Sequence, residues 1–128
     1  MTVTPIDLFA SSIHLRQGGA IHAGRGAAGG GWRLTAVHAK SDADVHAGRW
    51  AVHAEAEEVV SCLIGKIRLV LGPERPGGPA EEIRLPAGTA AIVPRGRRHR
   101  VELDVPSSVL TVTLPGGGLE ERAGAGAE

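Results

Sequence analysis

Two short stretches concentrate the residues able to do chemistry. One runs Trp50-Ala51-Val52-His53-Ala54-Glu55-Ala56-Glu57-Glu58 and leads into an apolar segment that stops at Gly65. The other runs from Gly88 to Pro94-Arg95-Gly96-Arg97-Arg98-His99. Imidazole and carboxylate are common ligands of Zn, Fe, Mn, Ni and Cu, and two histidines with one carboxylate leave coordination positions open for substrate. His53, Glu58 and His99 form such a set only if neighbouring strands turn all three side chains inward. An antiparallel barrel has that geometry. Strand side chains alternate, so an inward Glu58 sends Glu57 outward, and a bulge would exchange the two.

The elements that must position these residues read as strands. Apolar or β-branched runs cover Trp32–Ala39, Arg49–His53, Glu58–Ile64, Ile67–Leu71, Glu82–Leu85, Thr89–Val93, His99–Leu103 and Val109–Leu114, with weaker runs at Ile13–Leu15 and Ala20–Ala23. Ile67, Leu69 and Leu71 alternate with Lys66, Arg68 and Val70, the period-two pattern of a half-buried antiparallel strand. Many short strands separated by turn residues predict an all-β sandwich or barrel. Residues 1–115 form one domain in this reading. The Gly/Ala-rich stretches Ala23–Gly31 and 116–128 are expected to be flexible.

On its motifs the chain resembles the cupins, specifically the small bacterial cupins with a W-x-x-H-x-x-x-(D/E)-E pattern. Gly88, Pro94, Gly96 and His99 match G-x5-P-x-G-x2-H, while His53, Glu58 and Gly65 match the latter part of H-x4-E-x6-G. The resemblance spans Arg49 to Pro115 and implies a double-stranded β-helix, or jelly roll. It also implies one divalent ion, Fe, Mn, Ni or Zn, held by His53, Glu58 and His99. Full cupins carry a further histidine two residues before His53, where this chain has Ala51. Three readings stay open. The site is a 2-His-1-carboxylate set with extra open positions; or His38 or His46 substitutes, His38 having the strand parity of Trp32, Leu34 and Ala36; or the metal is lost or weakly held.

The resemblance further implies a metal-dependent enzyme, of dioxygenase, isomerase, cyclase or lyase type, acting on a small polar molecule. Glu58 is the expected catalytic group, with Arg97 and Trp50 as substrate contacts, Arg97 sharing the parity of His99. The alternatives are a non-catalytic metal or small-ligand module and a structural barrel, and a homodimer is compatible with each. Fourteen basic residues balance fourteen acidic ones, and aromatics number only Phe9, Trp32 and Trp50, which argues against a nucleic-acid binder. Cys62 stands alone, so no internal disulfide can form, and parity with Glu58 and Val60 makes it a core residue. No apolar run approaches bilayer length, and the first ten residues lack the features of a secretory signal, so the expected location is the cytoplasm.

Overall fold

The computed structural model describes residues 2–25, 31–114 and 118–121, the last four as backbone only. Strands β1 (Ser12–Leu15), β2 (Ile21–Gly24), β3 (Trp32–Ala39), β5 (Glu58–Ile64), β8 (Thr89–Val93) and β10 (Ser107–Thr113) build one antiparallel sheet in the order β2-β1-β3-β10-β5-β8. Strands β4 (Arg49–Val52), β6 (Lys66–Leu71), β7 (Glu81–Pro86), β9 (His99–Leu103) and β11 (Gly118–Glu121) build the second, in the order β11-β4-β9-β6-β7. The fold is an all-β jelly roll. Consecutive strands repeatedly change sheet, so the two sheets enclose one core, formed by Val60, Cys62, Ile67, Leu69, Leu85 and Val101 among others.

Alternation assigns the faces. Ile67, Leu69 and Leu71 are buried, whereas Arg68 lies outside among Glu82, Glu102 and Asp104. In β5 the buried residues Glu58, Val60 and Cys62 face inward and Glu57, just before the strand, is exposed. Cys62 is fully buried, and that burial raises its thiol pKa, so it packs as a small core residue.

The flexible-tail expectation is corrected over four residues: Gly118–Glu121 pairs with β4 as a terminal strand. Residues 116, 117 and 122–128 lie outside the described residues. Of the Ala23–Gly31 stretch, Ala23 and Gly24 close β2 against β1, and residues 26–30 are likewise not described. Among the described residues no helix is long and apolar enough to cross a membrane.

Candidate metal centre

Both motifs cross between the sheets at the same end of the jelly roll. His53 follows the last residue of β4 in the five-stranded sheet, and Glu58 opens β5 in the six-stranded one. The five-residue spacing is therefore the length of a crossover. Likewise β8 ends at Val93 in the six-stranded sheet and His99 opens β9 in the other. The turn between them is fixed by Gly96, which has φ +77°, and by a hydrogen bond from Arg97 N to the Pro94 carbonyl. Gly96 N then donates to the His53 carbonyl at 2.7 Å, tying the two crossovers together.

One ligand atom from each of His53, Glu58 and His99 falls within 4.8 Å of the others. His99 Nε2 lies 2.7 Å from Glu58 Oε1, and His53 Nε2 lies 3.3 Å from the same oxygen. His99 Nδ1 is 3.2 Å from the Arg97 carbonyl, which can only accept, so the Nδ1 proton points there and Nε2 turns its lone pair toward the carboxylate. A lone pair facing an anion at that separation requires a shared cation, either a second proton or a metal ion. Glu58 Oε1 is buried, and although two imidazole nitrogens are near it, neither is aligned for a hydrogen bond. The three ligand atoms lie close enough together for one ion to be shared among them.

The electrostatics are consistent with a permanent carboxylate. Burial alone would raise the Glu58 pKa, but the contacts with His53 and His99 more than offset it, taking it from 4.5 to about 2. A carboxylate held ionised in this way is suited to ligate a cation. The sign of the linkage follows. A depressed pKa contributes stability that is fully present above the unfolded value and lost as pH falls through about 2. In the metal-free protein, Tm should therefore fall between pH 5 and pH 2.5 more steeply for wild type than for Glu58→Gln. Equal slopes by calorimetry would contradict the depressed value.

A cavity of about 240 Å³ adjoins Glu58 and His99. Val37, Val45, Val60, Val101 and Val109 make it largely apolar, and beside Glu58 and His99 its polar lining is Asp44, His46, Arg49, Arg100 and Thr111. Asp44 belongs to a 3-10 turn, Asp42–Val45, that His46 caps and that a 2.8 Å hydrogen bond from Leu103 N to Asp42 Oδ1 ties to β9 beside the cavity. Ala51, at the position of the missing histidine, also lines the cavity and pairs directly with His99.

Three expected site residues lie elsewhere. His38 pairs in register with Ser108 and bonds its hydroxyl at 2.9 Å. Its neighbour Val37 takes the cavity-facing position, so parity with Trp32, Leu34 and Ala36 places His38 on the outer face. His46 lines the cavity without joining the three clustered ligand atoms. Arg97 does not accompany His99 inward: it donates to the Gly72 carbonyl at 2.6 Å and pairs with Glu81 at 3.1 Å. The turn residues 94–98 break strand alternation, so parity counted back from His99 does not apply. Arg97→Ala should thus cost about 1–3 kcal/mol of stability in urea denaturation while leaving metal stoichiometry unchanged. Trp50 is buried on the side of β4 opposite Ala51, with the Arg100 guanidinium 4.4 Å above its ring. His46 was already a candidate from the sequence and Arg49 shares the strand parity of Ala51, whereas Asp44 was reachable only through the contact of the Asp42–Val45 turn with β9, which no local pattern encodes.

No protein-family model matches the sequence, and no curated protein matches it. Solved structures do match. An oxalate oxidase structure aligns with a TM-score of 0.53 and 17% identity over 72% of this chain and 45% of that one. The structure of Peruvianin-I, a cysteine peptidase from Thevetia peruviana latex, aligns with a TM-score of 0.54 and 16% identity over 70% and 55%. The chain has a cupin fold. A cupin-2 domain protein from Shewanella frigidimarina also aligns, at 0.45 and 19% identity over 66% of this chain and 69% of its own. The chain thus spans about half the length of the first two proteins, one an oxidase and the other a peptidase. A shared cupin fold does not choose between such activities; the site must.

Proposed function

We propose that this cupin-fold protein holds one divalent metal ion through His53, Glu58 and His99 and is a metal-dependent enzyme acting on a small molecule that enters the valine-lined cavity. The observation that carries this is the convergence of three ligand atoms within 4.8 Å around a buried carboxylate oxygen that has no aligned hydrogen-bond donor. When bound, the ion supplies Lewis-acid or oxygen-activating chemistry, with positions left open by the small ligand set. The protein's residues hold and shape the rest. The Arg97 carbonyl orients His99 through Nδ1. The valines exclude water from the body of the ligand, while Arg49, His46 and Thr111 offer charge and hydrogen bonds to its polar end. His46, which caps the turn beside the cavity, is the group best placed to carry a proton, a role that neither Glu58 nor the outward Glu57 is suited to.

A second reading is favoured by Ala51 and by His53 Nδ1, which is buried without a partner and so lacks the outer support that ligating histidines normally have. It is a non-catalytic module that captures a metal or small ligand. Metal analysis of untagged protein separates these readings at the first step. Near-stoichiometric Fe, Mn, Ni or Zn, absent from the His53→Ala/His99→Ala variant, supports the metal site. Protein that carries no metal and takes up none on titration overturns it. Turnover of small oxygenated substrates by the loaded protein then distinguishes enzyme from module.

A further inference from the structure

We infer that Arg33, on the inner face of the six-stranded sheet just beyond the cavity lining, anchors the carboxylate of a small organic acid. This rests on the reading of the cavity as the seat of a small molecule and names the chemistry of one end of that molecule. The register places the arginine. β3 pairs with β10 without a break from Ala39 to Arg33, and Val37, opposite the core residue Val109, faces inward. Thr35 and Arg33 share that parity, so Arg33 points inward between its strand partners Thr113 and His14. Beyond Thr113 the β10–β5 register, carried one position past Val112 and Val59, reaches Glu58. Glu58, Thr113, Arg33 and His14 therefore form one row across the inner face. Arg33 stands two strands, about 10 Å of backbone, from the carboxylate of the metal centre.

Arg33 is a half-buried cation with no counter-ion among the described residues. Its Nε is shut off from water and makes no hydrogen bond. β1, β2, β3 and β10 contain no acidic residue, and the one carboxylate in the row, Glu58, is turned to His53 and His99. The other cations of the cavity are engaged: Arg100 by Glu102 at 2.8 Å and by the Trp50 ring, and Arg49 by a partner of its own. A charge drawn out of water without a partner destabilises the fold, and a bound anion removes that penalty. Thr113, only 7% exposed, adds a hydroxyl donor beside the guanidinium.

The guanidinium fork matches the paired oxygens of a carboxylate or a phosphate. The adjoining wall selects between them. Thr111, the next inward residue of β10 and about 7 Å along the strand from Thr113, lines the cavity together with Val37, Val60 and Val109. An organic acid held at Arg33 lays its apolar body against these valines, beside Glu58 and His99, whereas free phosphate has no body to bury there.

Calorimetric titration of the chelator-treated full chain with acetate, propionate and butyrate at fixed ionic strength tests this without any metal. Kd should fall by about three- to fourfold per added methylene, and inorganic phosphate should bind more weakly than butyrate. Arg33→Met keeps an unbranched apolar stem and removes the charge. It should weaken butyrate binding at least about tenfold, the worth of one charge-assisted hydrogen bond. Without ligand it should melt no lower than wild type, because it removes an unpaired charge. Arg33→Lys should restore only part of the affinity, since an ammonium lacks the fork. Wild type that binds no carboxylate overturns the inference, as does affinity indifferent to chain length or phosphate bound more tightly than butyrate; none of these needs a variant. So does Arg33→Met that binds butyrate as wild type does. With metal absent throughout, any of these results leaves the metal reading standing. Carboxylate binding by protein that takes up no metal ends that reading and leaves this one.

Discussion

Replacing Ala51 with histidine is expected to tighten Zn or Ni binding by about tenfold to hundredfold or more, since loss of an outer-shell partner alone changes affinity by about that much and the substitution adds a ligand outright. The register makes the prediction specific. Ala51 is the Cα partner of His99 across the β4–β9 pair, and paired residues point to the same face, so an imidazole at 51 enters beside that of His99. The adjoining cavity has room for the ring, and β4 is ordinary extended strand that accepts histidine without strain. Competition titration with a chromophoric chelator measures the change. The gain should vanish in Ala51→His/Glu58→Gln, which keeps the new ring and removes the carboxylate. An unchanged affinity for Ala51→His would show that the ion, if any, sits away from the β4–β9 pair. The same substitution should lower any turnover, because it fills a position that substrate would otherwise use.

The sequence made the strands legible because their cores alternate. β3, β5, β8 and β9 fall where the apolar runs predicted, and the others shift by one or two residues at their ends. His53, Glu58 and His99 were legible for a different reason: their spacings equal the lengths of two sheet-to-sheet crossovers, so a linear pattern encodes a spatial one. Parity failed where it was carried across irregular backbone or counted from the wrong reference. Arg97 belongs to a turn, and His38 sits on the strand face opposite Val37. The β11 strand was hidden because Gly118-Leu119-Glu120-Glu121 has no alternation of its own; its order comes from an open edge of β4. The Asp42–Val45 turn is held locally by Lys40 N and Ser41 N donating to Asp44 Oδ2, but its place beside the cavity comes from the long-range bond to Leu103 N, which composition cannot reveal.

Gly65→Ala should destabilise the protein by about 2–4 kcal/mol, the range expected when strained backbone and overpacking coincide. Gly65 turns the chain from β5 into β6 at φ +95°, a conformation L side chains rarely adopt. A Cβ there would clash with Ser107 Oγ and come within 2.7 Å of the Pro106 carbonyl. Neither neighbour can yield cheaply. Ser107 is fully buried, accepts from Lys66 N at 3.1 Å and donates to the Val105 carbonyl at 2.7 Å, so it pins the β9–β10 connection against the β5–β6 turn. Gly88 offers the matched control: its φ is +87° but nothing lies within 4 Å of its would-be Cβ, so Gly88→Ala carries the conformational cost alone. Chemical denaturation of both variants should place Gly65→Ala at least about 1 kcal/mol below Gly88→Ala, the size of a modest steric misfit in a packed core. Equal losses would mean that the Ser107 clamp relaxes freely. In that case the motif glycine would be retained for its φ alone, and the turn would tolerate Asn, which reaches left-handed φ far more readily than Ala.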